Sequence, residues 1–307
     1  MRGFWLILVI GLLLIVGCNR GDSATGKAVQ QIEEVKQPEP VPVVEEQKVE
    51  EVKPKEVIKP KPVEKKLEVH FIDVGYGDAI LFKYDKDIIL VDCGRTDEAI
   101  YDYLSKIKVS DIDLLITTVP LKEHIGGCDR VLRNLSVHKV VDNGRSPSDE
   151  DFENYLKYRG GTAYSVIDKG DELSVGDIKI SVLGANNRLE DTKSNSVVMK
   201  VSYGDIDFLL ASDCNDECES KLLLGKIMQS EIFKVASHGS MLSNSYEFIF
   251  KINPEVSIIT SSNDNRYKNL QQTVLDRLSA SDVYRTDLHG TIIITTNGKT
   301  YNVKTEK

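Results

Sequence analysis

A change in the sequence at Leu67 most constrains the fold, because short strand-like runs begin there and continue to the C-terminus. The first three runs are LEVHFIDV, DAILFKY and DIILVD, and they are separated by glycine or Asp-Lys turns, as is typical of consecutive strands. Strand and helix runs then alternate, and a second strand-rich series starts near Asp171. Two sheets packed face to face, with helices outside, accommodate this pattern. We therefore predict one α/β domain over residues 67–307.

Apolar spacing and end signals predict the helices of this domain. The clearest are TDEAIYDYLSKIK, with Thr96 as a candidate N-cap, DEDFENYLKYRG, which ends in glycine, and NLQQTVLDRLSA. Another helix is expected near residues 215–224, and DVYRTD is predicted to be a strand close to the C-terminus.

Residues 19–66 have a different composition. They hold ten acidic residues, ten basic residues, six of the nine prolines of the chain and no aromatic residue. Such a segment buries too little apolar surface to offset its ordering entropy. We predict a disordered tether rich in Pro, Glu and Lys, with a reach on the order of 150 Å if it is extended.

The N-terminus has the form of an export signal. Arg2 precedes a 14-residue apolar run, which is short of the roughly 20 residues that a membrane span needs. The run ends Ile15-Val16-Gly17-Cys18, which resembles a lipobox, so residues 1–18 are predicted to be a signal peptide whose Cys18 carries a lipid. The alternative is an uncleaved signal anchor. Both place the domain outside the cytoplasmic membrane, and the first anchors it to the outer face through the lipid.

The net charge bears on possible partners. The chain carries −9 at pH 7, and since the tether is neutral and Arg2 is basic, residues 67–307 carry −10. An acidic domain repels polyanions, because phosphate contacts depend on Lys and Arg. Nucleic acid is therefore disfavoured as a partner, although a local basic strip remains possible.

An ordered set of short motifs resembles a known family, the extracellular metallo-β-lactamase-type domain of ComEC-like DNA-uptake (competence) proteins. The resemblance covers residues 67–303 and implies a four-layer αββα sandwich with metal held in loops at one edge. The matching stretches are Phe71-Ile72-Asp73-Val74-Gly75-Tyr76-Gly77-Asp78, Leu90-Val91-Asp92-Cys93-Gly94, His124-Ile125-Gly126-Gly127, Asn195-Ser196-Val197-Val198, Ser212-Asp213, Ser237-His238-Gly239-Ser240, Asn253-Pro254-Glu255, and Tyr284-Arg285-Thr286-Asp287 with Gly290-Thr291-Ile292.

The metal motif is where the chain departs from the family. Members read Thr-His-x-His-x-Asp-His-x-Gly-Gly, whereas Val119 and Leu121 replace the first two histidines here and Glu123 replaces the aspartate. One histidine of a downstream pair is replaced by Ser237. A Tyr-Gly-His-Pro-His stretch has become Tyr267-Lys268-Asn269-Leu270-Gln271, without imidazoles. The resemblance thus implies that one of the two metals of the family is lost.

Four donors remain for a single ion: Glu123, His124, Asp213 and His238. They could hold one divalent metal such as Zn or Mn, in which case Asp213 would be the catalytic carboxylate. The alternative is a relict pocket that binds no metal and whose polar groups only bond one another. Asp73, Asp78, Ser237 and Ser240 are expected to line the same pocket.

Cys93, Cys128 and Cys214 each lie beside a former metal motif, and Cys218 follows shortly after. Three interpretations are open. The preferred one is that Cys93 and Cys128 are small buried thiols. Disulfides, which the compartment permits, come second, and zinc ligation by sulfur comes third.

Two functions from different classes follow. One is a non-catalytic, lipid-anchored binding module at the cell surface, whose partner in the envelope is unknown. The other is a single-metal hydrolase acting on phosphodiester or related ester bonds, DNA included. The lost histidines favour the first, and the retained donors keep the second open.

Overall fold

A computed structural model describes residues 65–185, 188–225, 229–262 and 269–307. The predicted signal peptide and all but the end of the tether lie outside these residues, as do Tyr267 and Lys268. No helix in the described ranges is both long and apolar enough to span a bilayer.

The first sheet joins the N-terminal half of the domain to the last two strands. Its members are β1 (Leu67–Phe71), β2 (Ile80–Tyr84), β3 (Asp87–Val91), β4 (Asp111–Ile116), β5 (Ser136–Asp142), β6 (Ala163–Val166), β14 (Ile292–Thr296) and β15 (Tyr301–Thr305). They lie in the order β15-β14-β1-β2-β3-β4-β5-β6. Pairing is antiparallel from β15 to β3 and parallel from β3 to β6.

The second sheet is built from the C-terminal half. Its members are β7 (Glu172–Val175), β8 (Ile178–Gly184), β9 (Val198–Tyr203), β10 (Ile206–Leu210), β11 (Ile232–Lys234), β12 (Val256–Ile259) and β13 (Asp282–Arg285). They follow one another in sequence order across the sheet. The hairpins β7 to β10 are antiparallel and β10 to β13 are parallel, because helices provide the later crossovers.

Three apolar layers hold the domain together. The middle layer lies between the sheets. There Phe82 of the first sheet packs edge to face against Phe208 of the second sheet, with their ring centres 5.6 Å apart. An outer layer packs the first sheet against helices, and another packs the second sheet against helices. The central strands are therefore buried on both faces, which explains uninterrupted apolar runs such as the IILV of β3. The predicted αββα sandwich is confirmed.

The helices flank the sheets. On the first sheet they are α1 (Asp97–Lys106), α2 (Lys122–Ile125), α3 (Cys128–Asn134) and α4 (Glu150–Arg159). The later helices are α5 (Asp216–Leu223), α6 (Tyr246–Ile252), α7 (Gln272–Arg277) and α8 (Thr286–His289). Two short 3-10 turns, Lys193–Asn195 and Ala236–Gly239, connect strands.

The boundaries differ from expectation in several places. Thr96 does occupy the N-cap position of α1, but its side chain makes no capping bond within the described residues. The segment predicted as one helix over 269–280 is helical only from Gln272 to Arg277. The strand expected at 282–287 ends at Arg285, where α8 begins. β6 and β12, of four residues each, form by pairing with neighbouring strands and are too short to give a periodic signal. The helix α6, which begins after the N-cap Ser245, was also not predicted.

The preferred interpretation of the cysteines is wrong. Cys93 and Cys128 are buried, as expected, but they form a disulfide, and Cys214 forms another with Cys218. The fold brings Cys93, just after β3, to the start of α3, so that the Cα atoms of the first pair lie 5.1 Å apart. The pairing across 35 residues is a tertiary contact that sequence spacing does not reveal.

We expect the protein, prepared without reductant, to hold no free thiol between residues 65 and 307. Thiol titration after unfolding, without reductant, should find none of these four cysteines reactive, and prior reduction should expose all four. A matched sample unfolded after reduction provides the control. Four reactive thiols without reductant would restore the buried-thiol interpretation.

Candidate metal centre

Loops at one edge of the two sheets bring the candidate site together. Asp92 follows β3, and His124 follows β4 in the short helix α2. Asp213 follows β10, and His238 follows β11. Because β3 and β4 are parallel, as are β10 and β11, their carboxyl ends meet at a common edge, which is where such sheets place ligand sites.

The backbone at this edge adopts conformations that non-glycine residues rarely use. Asp92, Ser212, Ser237 and His238 have φ values of 59°, 50°, 46° and 55°, in the left-handed region. Each lies on a loop that supplies a side chain to the site or directly precedes one. Such strain persists only where surrounding contacts fix it, and it clusters at functional sites.

His124, Asp213 and His238 form a compact donor group, called here the metal triad. One nitrogen or oxygen from each lies within 4.8 Å of the others. Nε2 of His124 is 3.5 Å from Oδ1 of Asp213, and Nε2 of His238 is 3.7 Å from the same oxygen. At most 1% of each residue is exposed.

Both imidazoles are oriented by hydrogen bonds at Nδ1, on the side of the ring that faces away from the triad. Nδ1 of His124 bonds Oδ2 of Asp92 at 2.8 Å. Nδ1 of His238 lies 3.1 Å from the carbonyl and 3.1 Å from the hydroxyl oxygen of Thr260. Bonding at Nδ1 directs Nε2 of each ring toward the shared oxygen of Asp213, which is how metal-ligating histidines are commonly held.

The atoms that face the centre of the triad are not hydrogen-bonded to other groups in the described part of the chain. Nε2 of His124, Nε2 of His238 and Oδ1 of Asp213 are buried without a hydrogen-bond partner there. Buried polar atoms are rarely left in this state, so three that converge need an explanation. Two imidazole nitrogens and one carboxylate oxygen are the donor types of single-ion sites with an open position. The residues therefore fit one divalent metal ion.

The electrostatics of the triad agree with a cation site. Burial alone would lower the pKa of His124, but the carboxylates of Asp92 and Asp213 outweigh it and raise that pKa well above its usual value. Burial would raise the pKa of Asp213, but His124, His238 and Lys193 hold it well below its usual value. For His238 burial dominates, and its pKa is lowered. The site thus keeps Asp213 ionised and attracts positive charge.

A second group, of Asp78, Asp92 and His124, lies beside the triad with its donors within 4.8 Å. Its oxygens are already engaged. Asp78 accepts hydrogen bonds from the buried ammonium of Lys234 at 2.9 Å and from the hydroxyl of Thr260 at 2.5 Å. Burial would raise the pKa of Asp78, but Lys234 and the two histidines lower it to about 2.

Asp92, the other carboxylate of the second group, is equally occupied. Its Oδ1 accepts from the backbone NH of Thr118 at 2.8 Å, and its Oδ2 accepts from the Thr118 hydroxyl at 2.6 Å and bonds His124. Burial raises the pKa of Asp92. This group is therefore a hydrogen-bonded support for His124 and does not offer a free set of ligands.

The predicted residues divide into those the fold assembles and those it separates. Of the four predicted ligands, His124, Asp213 and His238 are brought together. Glu123 is not in either buried group, and its Oε2 lies 3.8 Å from Nη1 of Arg95. Val119, at a lost histidine position, is buried.

The predicted pocket residues have structural tasks. Asp73 bonds the backbone NH of Gly75, and Asp78 belongs to the buried network already described. The hydroxyl of Ser237 accepts a bond from Ser243, and that of Ser240 accepts one from the backbone of Leu242, so both brace the loop that carries His238.

Tyr76 covers one side of the triad, with its ring centre 4.6 Å from that of His238. Its hydroxyl is hydrogen-bonded by the side-chain amide of Asn269.

Sequence reasoning missed three contributors. Asp92 lies in a matched motif, yet nothing local shows that it holds His124. Lys234 lies inside the strand β11, where a lysine in an apolar run is the only signal of a buried ion pair. Lys193 precedes the Asn195 motif, and its ammonium lies 2.7 Å from Oδ2 of Asp213.

Comparisons with known proteins agree with this fold. No family model matches the chain. It is 27% identical over 251 residues to ComE operon protein 3 of Bacillus subtilis, an alignment that covers 73% of this chain and 32% of that protein. It is 25% identical over 221 residues to Recombination protein 2 of Haemophilus influenzae, covering 69% and 26%. The chain thus spans a third or less of these relatives.

A solved structure extends the likeness to the whole fold. The metallo-β-lactamase fold protein YhfI from Bacillus subtilis superposes with a TM-score of 0.53 at 12% identity, over 76% of this chain and 100% of that one. The chain therefore has the metallo-β-lactamase fold. Its sequence is similar to competence proteins of the ComEC type, which confirms the resemblance predicted from its motifs.

Replacement of Asp92 by alanine should weaken metal binding by about 10–100-fold, because His124 would lose the carboxylate that orients its ring. Competition with a chromogenic zinc chelator measures the affinity. The matched control is Asp142→Ala, which removes another buried carboxylate, one bonded by Tyr155 and Tyr164. It should lower stability and leave zinc affinity unchanged. Equal losses of zinc affinity in both variants would contradict the role of Asp92.

Proposed function

We propose that this chain is an exported, lipid-anchored protein of ComEC-like type that holds one divalent metal ion and acts at the cell surface mainly as a binding module. The observation that carries the proposal is the convergence of three unpartnered donor atoms from His124, Asp213 and His238. The similarity to ComE operon protein 3 and Recombination protein 2 supports the ComEC-like type.

The donor set favours zinc or manganese. Imidazole and carboxylate ligands suit both ions, and the hard ions calcium and magnesium would seldom select two histidines. A bound ion would supply Lewis acidity, while Asp92 and Thr260 would keep the two rings in place. Asp213 can give Oδ1 to the ion, because its Oδ2 is already paired with Lys193.

Catalytic impairment follows from the second group of carboxylates. A two-metal clamp stabilises both the attacking and the leaving oxygen in phosphodiester cleavage. Here Val119 and Leu121 offer no ligand atom, and every carboxylate oxygen of Asp78 and Asp92 is already bonded by Lys234, a threonine or His124. A second ion would have to break this buried network, so we infer that the site takes one ion.

A single-metal hydrolase is the second candidate function. The observation in its favour is that two histidines and one carboxylate leave coordination positions open, as in catalytic zinc sites. Its substrate class would be phosphodiester or related ester bonds, by similarity to the fold family. The charge of −10 over residues 67–307 disfavours DNA as that substrate or as a binding partner. An envelope protein or polysaccharide suits the acidic domain better.

The purified mature protein should contain close to one zinc or manganese ion per chain by elemental analysis. His238→Ala should lose that ion, because one of the three donors is gone. Turnover of a generic phosphodiester should stay far below that of an intact two-metal relative assayed in parallel. Val119→His combined with Leu121→His should raise the metal content. Two tightly bound ions and brisk turnover in the unmodified protein would overturn the proposal.

Cys18→Ser should release the protein from the membrane fraction, because the lipid would have no attachment point. Fractionation of cells that make the full chain measures this, and mass spectrometry of the mature N-terminus should find residues 1–17 removed. Cys218→Ser is the matched control, since it removes a cysteine of the domain and should leave anchoring intact. Unchanged anchoring of Cys18→Ser, with an intact N-terminus, would favour the signal-anchor alternative.

A further inference from the structure

Lys193 holds a position that the proposed function does not account for. It begins the 3-10 turn Lys193–Asn195 ahead of β9, and its Nζ lies 2.7 Å from Oδ2 of Asp213. Asp213 is fully buried, while 35% of the lysine side chain is exposed. The lysine thus reaches inward from the surface to a carboxylate of the metal triad.

The two oxygens of Asp213 face different cations. Oδ1 points to the imidazoles of His124 and His238, where a metal ion would sit, and Oδ2 points to the ammonium. A unit charge at such a distance from a buried carboxylate interacts strongly, because little water lies between them. Any ion bound to Oδ1 must therefore share Asp213 with a positive charge that is already in place.

Contacts around the turn show that this placement is built in. Ser194 donates its backbone NH to Asp191, and its hydroxyl is hydrogen-bonded with the side chain of Asn215. Asn215 also donates to Asp191 and caps α5 two residues after Asp213. The lysine turn and the Asp213 loop are thus tied to each other, so the ammonium and the carboxylate meet without a large loss of freedom.

The surroundings of Lys193 are acidic beyond Asp213. The carboxylates of Glu123 and Asp191 also interact electrostatically with its ammonium. The positive charge of Lys193 is therefore neutralised by carboxylates of the protein itself, so the ammonium is poorly suited to binding an external anion. Its position fits a cation that neutralises the ligand carboxylates.

We propose that Lys193 is a built-in counter-cation that occupies Oδ2 of Asp213 and competes electrostatically with the ion of the triad. The proposal deepens the single-ion function and rests on it for the location of the ion. It implies that the protein stays folded when no metal is available, because Asp213 keeps a partner. It also implies that metal affinity is lower than the donor set alone would give.

The test compares Lys193→Met, which keeps the aliphatic stem and removes the charge, with Lys193→Arg, which keeps the charge. In full chains stripped with EDTA, Lys193→Met should lower the melting temperature by about 5 °C, since a buried carboxylate loses its partner. The same change in an Asp213→Asn background should have little effect. Lys193→Arg should melt close to the unmodified protein.

The same substitution should affect zinc affinity in the opposite direction to stability. Lys193→Met should bind zinc about tenfold more tightly or better, measured by chelator competition, because a repelling charge near the ion is gone. Lys193→Arg should keep the original affinity. If Lys193→Met does not fold in EDTA, its refolding on addition of zinc supports the proposal, and Lys193→Gln repeats the affinity measurement.

Two results would overturn the inference. One is a zinc affinity of Lys193→Met equal to or weaker than that of Lys193→Arg, which would make the lysine a structural support for the metal site. The other is an equal fall in melting temperature in the Asp213→Asn background. The metal content of the unmodified protein tests the single-ion site, whereas the difference between the Met and Arg variants tests Lys193, so the two failures are distinguishable.

Discussion

The buried carboxylate of Asp213 is the constraint on which the site depends. A charge with no exposed surface is tolerated only with partners close by, and Asp213 has His124, His238 and Lys193. The neighbouring carboxylates obey the same rule, since Asp78 pairs with Lys234 and Asp92 bonds His124. The order of the whole edge follows from neutralising three carboxylates that the fold removes from water.

The loops that deliver these groups are held by unusual means. Left-handed backbone at Asp92, Ser212, Ser237 and His238 turns the chain sharply after strands of both sheets. The two disulfides tie down residues directly next to the site, since Cys93 follows Asp92 and Cys214 follows Asp213. Rigid sheets, strained turns and covalent links together fix donor positions that short loops alone would leave free.

Two lysines take part in the charge balance of the site. Lys193 and Lys234 face carboxylates at the same edge, whereas the chain carries the aliphatic side chains of Val119 and Leu121 where the family pattern has its first two histidines. A fixed ammonium neutralises one carboxylate, and a divalent ion can neutralise two and also bind ligands. The remaining triad of His124, Asp213 and His238 therefore has room for one ion, and its chemistry depends on how firmly Lys193 holds Asp213.

From the residue pattern alone the sandwich is predictable, and three of the four candidate ligands, His124, Asp213 and His238, are residues that the fold then brings together. Buried strands need long apolar runs, and the short motifs at the ends of these strands follow the family order. Both features can therefore be recognised in short stretches of sequence. The placement of Glu123 beside Arg95, the cross-link from Cys93 to Cys128 and the pairing of Lys193 with Asp213 were decided only by the tertiary structure. Each depends on the direction of a side chain between segments that are far apart or on different turns. Such a direction is set by packing, which residue spacing along the chain does not encode.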